Sequence, residues 1–385
     1  MIRKGRCSEK MSILFYNKKN ISAGDDKGNK LSIMKVLILV DIILTTLTLL
    51  ILLLARNNKA FCDFYVKYIY SIWVNVFGRF WGIFPFSVAE VILYLLVLLI
   101  PIILIILIVR KFRDLARVIT GVITLGTILL FLYGMNCGIN YGHSSYSEQS
   151  NMSLATYSTE ELADMCTYLT TKVNEYAVCQ RRNEDGIMIE YDIQGKAQET
   201  MNKIGEEDKL LKGYYPKPKA LMNSNLLSVQ QLAGIYVPFT IEANYNKDMP
   251  CFEQVFTACH ELSHMRGYMQ EEEANYLAFI SCINSEYNSF KYGGYMEGWV
   301  YATNELYARD SNEWNKIEQM ICGEAVADLE YNNSFWARFD GAVAELSDKV
   351  NDSYLKANGQ EDGVESYDRM VSLMMEWYKN VIQLQ

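Results

Sequence analysis

Apolar residues crowd the first third of this chain. Three runs stand out: Ile33–Ala55, Phe86–Val109 and Leu115–Met135. Each is close to the ~20 residues a helix needs to cross the hydrocarbon core of a bilayer. Asp41 is the only acidic residue in the first run, and Glu90 lies near one end of the second. Between these two runs the pattern changes. Phe61, Phe64, Tyr65, Tyr68, Ile69, Ile72, Trp73, Val76, Phe77, Phe80 and Trp81 recur at helical spacing, with Asp63, Lys67, Ser71, Asn75 and Arg79 on the other side. This predicts an amphipathic, aromatic-rich helix over about 61–81. It is suited to lie in the membrane interface or to pack beneath the domain that follows.

After the third run the pattern is that of a water-soluble body. Asn136–Ser153 reads as a polar loop, and Thr159-Glu160-Glu161 opens a helix to about Ala177. A further helix is expected over about 195–211. Gly234–Tyr245 is rich in β-branched and aromatic residues and predicts one strand, which Pro238 assigns to a sheet edge. Pro250 opens a helix with an apolar stripe of Phe252, Val255, Phe256 and Cys259, and Gly267 is placed to end it. Helices follow at about 270–284, then a Gly- and aromatic-rich turn into helix over Tyr292–Asn304. Three more are expected over about 311–331, 334–356 and 364–382, with a turn at Asn358-Gly359. The expected architecture is a multi-pass membrane anchor of three transmembrane helices, about 33–55, 86–109 and 115–135. It carries a mainly α-helical α+β domain over 137–385 with a small sheet.

Charge adds orientation. Residues 1–136 carry 17 Lys+Arg against 7 Asp+Glu, whereas the remainder carries 19 against 38. Residues 1–32 are basic and polar and predict a disordered cytoplasmic tail. Basic residues before the first span, and Arg110, Lys111, Arg113 and Arg117 between the second and third, mark the cytoplasmic side. The N-terminus is then cytoplasmic and the C-terminal domain extracytoplasmic. The lipid bilayer is the expected partner, and an acidic body excludes nucleic acid. Nine cysteines are too few for a disulfide scaffold. Cys166 with Cys179, or Cys251 with Cys259 or Cys282, are possible pairs, and no CxxC offers a cysteine metal site.

The chemistry is concentrated in His260-Glu261-Leu262-Ser263-His264, which uses two of the chain's three histidines. On a helix, residues four apart share a face, so His260 and His264 can bind one metal ion. Glu261 stands beside them as a general base for an attacking water. A third ligand must come from elsewhere, because one helix cannot wrap the ion. Gly267 lets the chain turn, and Gln270-Glu271-Glu272-Glu273-Ala274-Asn275 can bring a second helix onto the site. Glu271 is the candidate ligand, with Glu272 and Glu273 as alternatives. Ala274 permits close helix approach, and Asn275 is placed to orient a ligand imidazole. Glu242 on the expected strand faces either the cleft or solvent. Arg266, Tyr268 and Tyr295 are near enough in sequence to serve an oxyanion. His143, alone in a polar loop, is expected at the surface or at an interface.

Gly234–Asn246 (GIYVPFTIEANYN), His260–Phe279 (HELSHMRGYMQEEEANYLAF) and Ser353–Leu373 (SYLKANGQEDGVESYDRMVSL) resemble a bacterial membrane-protein family, domain-of-unknown-function family 3810. Within the second stretch, Glu271-x-x-Ala274-Asn275 is similar to the third-ligand helix of gluzincin peptidases. The short link from His264 is closer to the metzincin layout, whose third-ligand position falls here on Gln270, a poor zinc ligand. The resemblance implies a zincin-like domain binding Zn2+ through His260, His264 and Glu271. It supplies no substrate; the leading expectation from the site is a membrane-anchored metallopeptidase in the bacterial cell membrane that acts on a peptide or protein substrate. The competing expectation is a non-catalytic envelope sensor or scaffold with a structural or vestigial zinc site, closed by Glu242 or a cysteine as a fourth ligand.

Overall fold

The computed structural model describes residues 33–360 and 367–382, and the expected tail over 1–32 lies outside them. Three helices are long and apolar enough to cross a membrane: α1 (Ile33–Asn57), α3 (Val88–Val109) and the segment Leu115–Gly142. The last begins as α4 (Leu115–Tyr133) and continues through a π turn, Gly134–Gly138. Much of the expected loop after residue 136 is therefore helical, and a short helix α5 (Tyr146–Gln149), capped by Ser145, follows. The chain divides into two compact units. Residues 33–51 and 97–132 form one, and residues 52–96 with 133–360 and 367–382 form the other.

In the first unit the polar atoms of the spans pair with one another. Thr124 Oγ1 donates to Asp41 Oδ2 at 2.8 Å, and the Thr45 and Thr127 hydroxyls meet at 3.3 Å. Such pairing inside an apolar segment satisfies groups that hydrocarbon would leave bare.

The second unit is mostly helical with a three-stranded sheet. Helix α2 runs over 59–82 as alternating α and π turns. Helix α6 (Thr159–Ala177) starts at a Ser158/Glu161 capping box. Helix α7 (Ile193–Glu207) starts at Asp192, slightly earlier than expected, because the Asp192 side chain accepts from Gly195 N. Strand β1 (Lys219–Ala220) precedes helix α8 (Asn225–Ser228), and the sheet is completed by β2 (Gly234–Val237) and β3 (Glu242–Tyr245) in the order β1-β3-β2. The single strand expected over 234–245 is thus two antiparallel strands, with Gly234 opposite Tyr245 and Val237 opposite Glu242. Pro238, which lacks an N–H, breaks the ladder, and Ile241 takes a left-handed φ of 51° to reverse the chain. Strand β2 lies at an edge, as Pro238 implied, whereas β3 is central and fully buried.

Helices α9 (Cys251–His264), α10 (Glu271–Ile283) and α11 (Asn288–Arg309) form the core with α6. Phe252, Val255, Leu262, Leu277, Phe279 and Met296 are almost fully shielded from solvent. Residues 292–304 contain no turn; they sit inside the 22-residue helix α11. Its glycines serve close packing instead. A Cβ at Gly293 would stand 2.7 Å from Phe252 O, and one at Gly294 2.6 Å from Cys282 Cβ. The last helices are α12 (Ser311–Glu318), α13 (Gly323–Ala337), α14 (Ala342–Ala357) and α15 (Tyr367–Trp377). The expected helix over about 311–331 is broken after Glu318, Gly341 at φ 155° opens α14, Gly359 at φ 93° sits in the expected turn after it, and α15 runs on through a π turn, Tyr378–Ile382, to the expected end. The eight described cysteines are all free, so the suggested pairings do not form.

Candidate metal centre

Helix α9 ends on the site. Its apolar stripe is buried in the core, and the adjoining face carries His260, Glu261 and His264. The chain then turns at Gly267 (φ 94°), where a left-handed backbone suits glycine. Helix α10 begins at Glu271 and packs on α9, and its Ala274 is fully buried.

This turn brings three ligand groups together. His260 Nε2 and His264 Nε2 are 3.1 Å apart; Glu271 Oε2 is 3.3 Å from the first and Oε1 is 3.8 Å from the second. Among the described residues this is the one cluster of three or more such groups with metal-holding geometry. Two ligands about 2.0–2.1 Å from a tetrahedral ion are about 3.3 Å apart, so the observed spacing fits a small divalent cation. The tautomer fits too. His264 Nδ1 lies 2.8 Å from Tyr268 O, to which it can only donate, so Nε2 presents its lone pair to the centre.

The electrostatics match a cation site. Burial lowers His264 to about 4 despite the nearby Glu271, so its ring is neutral. Burial also disfavours a charged His260, but contact with the Glu271 carboxylate, aided by Glu261 and Asn275, outweighs this and raises it. Glu271 is held down to about 2, because contact with His260 and the charges of both histidines overcome its burial. Glu261 is 4 % exposed, and burial pushes its carboxyl up to about 8, opposed by His260 and reinforced by Glu271. Among the described residues its Oε2 has no hydrogen-bond partner. A buried, unpaired carboxylate oxygen beside three convergent ligand atoms is costly unless a cation or water accompanies it.

The remaining candidates separate clearly. Glu272 pairs with Arg369 at 3.3 Å and accepts from Gln360 Nε2 at 3.1 Å. Glu273 accepts from Ser147 N at 3.1 Å and Ser147 Oγ at 2.5 Å. Both are turned to other partners, which leaves Glu271. Asn275 stands beside His260 and donates to Tyr301 Oη at 3.2 Å. Tyr268 contributes its carbonyl to His264, while its ring is buried against His143 and Tyr146. Arg266 stacks over Tyr215 at 5.1 Å and donates to Met265 O, so it is spent on structure. Tyr295 stacks on Tyr176 and is not at the centre.

Two expectations are corrected. Glu242 faces neither cleft nor solvent. It is 2 % exposed, pairs with Lys219, and accepts from Val88 N at 3.1 Å and Ala89 N at 2.9 Å, capping α3. Lys219 and the free amides of a helix start draw it away from the metal ligands. His143 is buried rather than superficial, because Asp63 reaches its Nδ1 at 2.7 Å and Gln149 Nε2 lies 3.1 Å from its own Nε2.

One contributor carried no motif. Strand β2 passes so close to Glu261 that a Cβ on Gly234 would overlap its carboxylate and stand 2.6 Å from Thr257 Cγ2. The sheet's free edge therefore begins at the general-base candidate. Tyr236, two residues on, lies 6.3 Å from His264 ring to ring.

The family model described as "Protein of unknown function (DUF3810)" matches residues 65–375, from within α2 to within α15. The chain belongs to the DUF3810 family. No curated protein and no solved structure matches this DUF3810 chain. Its function must be argued from the site itself.

Proposed function

We propose that this DUF3810 chain is a membrane-anchored zinc metallopeptidase with a zincin-like domain, acting outside the cytoplasm. The observation that carries the reading is the convergence of His260 Nε2, His264 Nε2 and Glu271 within 4.8 Å of one another beside the unpaired carboxylate of Glu261. Two imidazoles and one carboxylate would hold the ion, a donor set suited to zinc. When bound, zinc supplies Lewis acidity toward water and the scissile carbonyl. Glu261 accepts the proton of the attacking water at its carboxylate and returns it to the leaving amine. The free edge of β2, ending at Gly234 beside Glu261, offers backbone groups to an extended peptide. The basic flanks of the spans support the extracytoplasmic placement.

A structural zinc site closes with four protein ligands. Among the described residues the cluster has three, and Glu271 is 37 % exposed, which favours an open, reactive centre over the scaffold reading. The test uses the full chain in detergent. Wild type and Glu261→Gln should each carry about one zinc per chain, and His260→Ala should carry none. Only wild type should cleave a mixed peptide library. A zinc-free wild type, or cleavage that survives Glu261→Gln, would sink the proposal.

A further inference from the structure

Helix α2 has a repeat of four rather than the 3.6 residues of an α-helix. Cys62, Val66, Tyr70, Val74 and Gly78 form one row, and all are buried. Phe64, Tyr68, Ile72, Val76 and Phe80 form the opposite row, and all are between 50 and 61 % exposed. Asp63, Lys67, Ser71, Asn75 and Arg79 form a polar row on one flank. In an α-helix a four-residue step drifts by about 40°, so such rows would wind round the axis. The π turns Tyr65–Tyr70 and Val74–Gly78 have wider i→i+5 geometry and offset that drift, so the rows stay straight.

The buried row is seated on the metal-centre elements. Tyr70 Oη meets Tyr236 Oη of β2 at 2.9 Å. Val66 packs against Gly267, and Gly78 against Met265 and Ile241. The exposed row lies opposite the buried one, and among the described residues its side chains stay at least half open. With Phe77 and Phe86, also 40 and 37 % exposed, the aromatic side chains alone present on the order of 500 Å². That equals the largest apolar patch on an ordinary soluble monomer. Chain connectivity supplies the occupant. One residue separates α2 from the end of α1, and five separate it from the start of α3, so both ends are tied to bilayer-length helices.

We propose that α2 lies flat in the interface of the bilayer that α1 and α3 cross, with Phe64, Tyr68, Ile72, Val76 and Phe80 in the acyl region. Lys67 on the flanking row reaches the phosphate layer. The metal centre then sits about one helix diameter, ~10 Å, above the lipid. If the peptidase reading holds, this geometry selects polypeptides close to where they emerge from a membrane.

The docking claim is tested without reference to catalysis. The full chain is reconstituted in vesicles of phosphatidylethanolamine and phosphatidylglycerol, with p-benzoyl-phenylalanine at position 64, 68 or 80. Position 191, where Tyr191 is 77 % exposed on the body, is the comparison. Phospholipid adducts at 64, 68 and 80 should exceed those at 191 by at least about ten-fold. In parallel, hydroxyl-radical footprinting of the unmodified chain in the same vesicles should show Phe64, Tyr68 and Phe80 protected relative to Tyr191. Adducts to polypeptide instead of lipid at these positions, from a second copy or another protein, would overturn the proposal. So would labelling of Phe64, Tyr68 and Phe80 as strong as that of Tyr191.

Discussion

Glu261 should be a stability liability in the metal-free protein, and Glu261→Gln should expose it. Burial raises this carboxyl from an ordinary 4.5 to about 8. Below pH 4.5 it is protonated in both folded and unfolded chains and costs nothing. As pH rises, the unfolded chain releases its proton first, so wild type loses stability until about pH 8, where the folded carboxyl also ionises. Each pH unit in that window is worth about 1.36 kcal/mol, so the loss between pH 5 and pH 9 is about 4 kcal/mol. Glutamine has nearly the same shape and does not titrate. Its amide has its own burial cost, but that cost is independent of pH. The quantity to measure is therefore the change, between pH 5 and 9, in the difference between variant and wild type. Thermal unfolding of both chains in detergent with a chelator reads it. At roughly 2 °C per kcal/mol, Glu261→Gln should gain about 8 °C over wild type across that range. Zinc favours the ionised carboxylate, so saturating zinc should flatten the trend. A difference that is flat with pH in chelator would refute the reasoning.

Four further outcomes follow from the geometry. Glu271→Ala should weaken zinc binding by more than about 100-fold, beyond what loss of a supporting residue costs, while Glu272→Gln and Glu273→Gln stay near wild type in zinc titrations. Contact with Glu271 raises the proton affinity of His260 without metal, and zinc must displace any proton the ring holds, so zinc binding should release protons increasingly as pH falls; titration calorimetry in buffers of different ionisation heat measures it, and binding that stays proton-neutral as pH falls would contradict the assignment. Gly234→Ala should destabilise by about 1–3 kcal/mol by driving a methyl into Glu261 and Thr257, and adding Glu261→Ala should restore part of that in chemical denaturation, the clash with Thr257 Cγ2 remaining. Lys219→Met should cost about 3–5 kcal/mol by leaving Glu242 without its cation, yet leave zinc content unchanged, which would separate Glu242 from the metal centre.

The legible parts of this protein are those where local pattern and tertiary packing agree. The three spans, the start of α6 and the turn at Gly267 follow from apolar length, capping chemistry and backbone freedom, all encoded within a few residues. The histidine pair is equally local, since i and i+4 share a helix face. Glu271 could be favoured over Glu272 and Glu273 by motif alone, but what separates them is remote: Arg369 and Gln360 hold one, and Ser147 holds the other. Glu242 misled because alternation on a strand says which face a side chain takes, not that Lys219 and the amides of Val88 and Ala89 wait there. The glycines of α11 read as a turn because glycine usually marks one. Here they allow backbone approach to Phe252 and Cys282, a demand made by neighbours far along the chain. Gly234 is hidden for the same reason.

The short link between His264 and Glu271 also explains why this centre suits a cation. His264 occupies the last turn of α9, and Glu271 the first turn of α10. The C-terminal end of a helix carries partial negative charge and the N-terminal end partial positive charge. The His264 imidazole thus sits where a positive ion would be welcomed, and the carboxylate sits where its anion is stabilised. A link of six residues, reversed at Gly267, forces these two helix ends together. A longer link would allow Glu271 to come from mid-helix and forfeit its share of the effect. On this view the spacing that departs from the usual gluzincin pattern is compensated by electrostatics. Moving the carboxylate one turn deeper, as Glu271→Ala with Asn275→Glu, should therefore bind zinc more weakly than wild type, even if the new side chain reaches the ion.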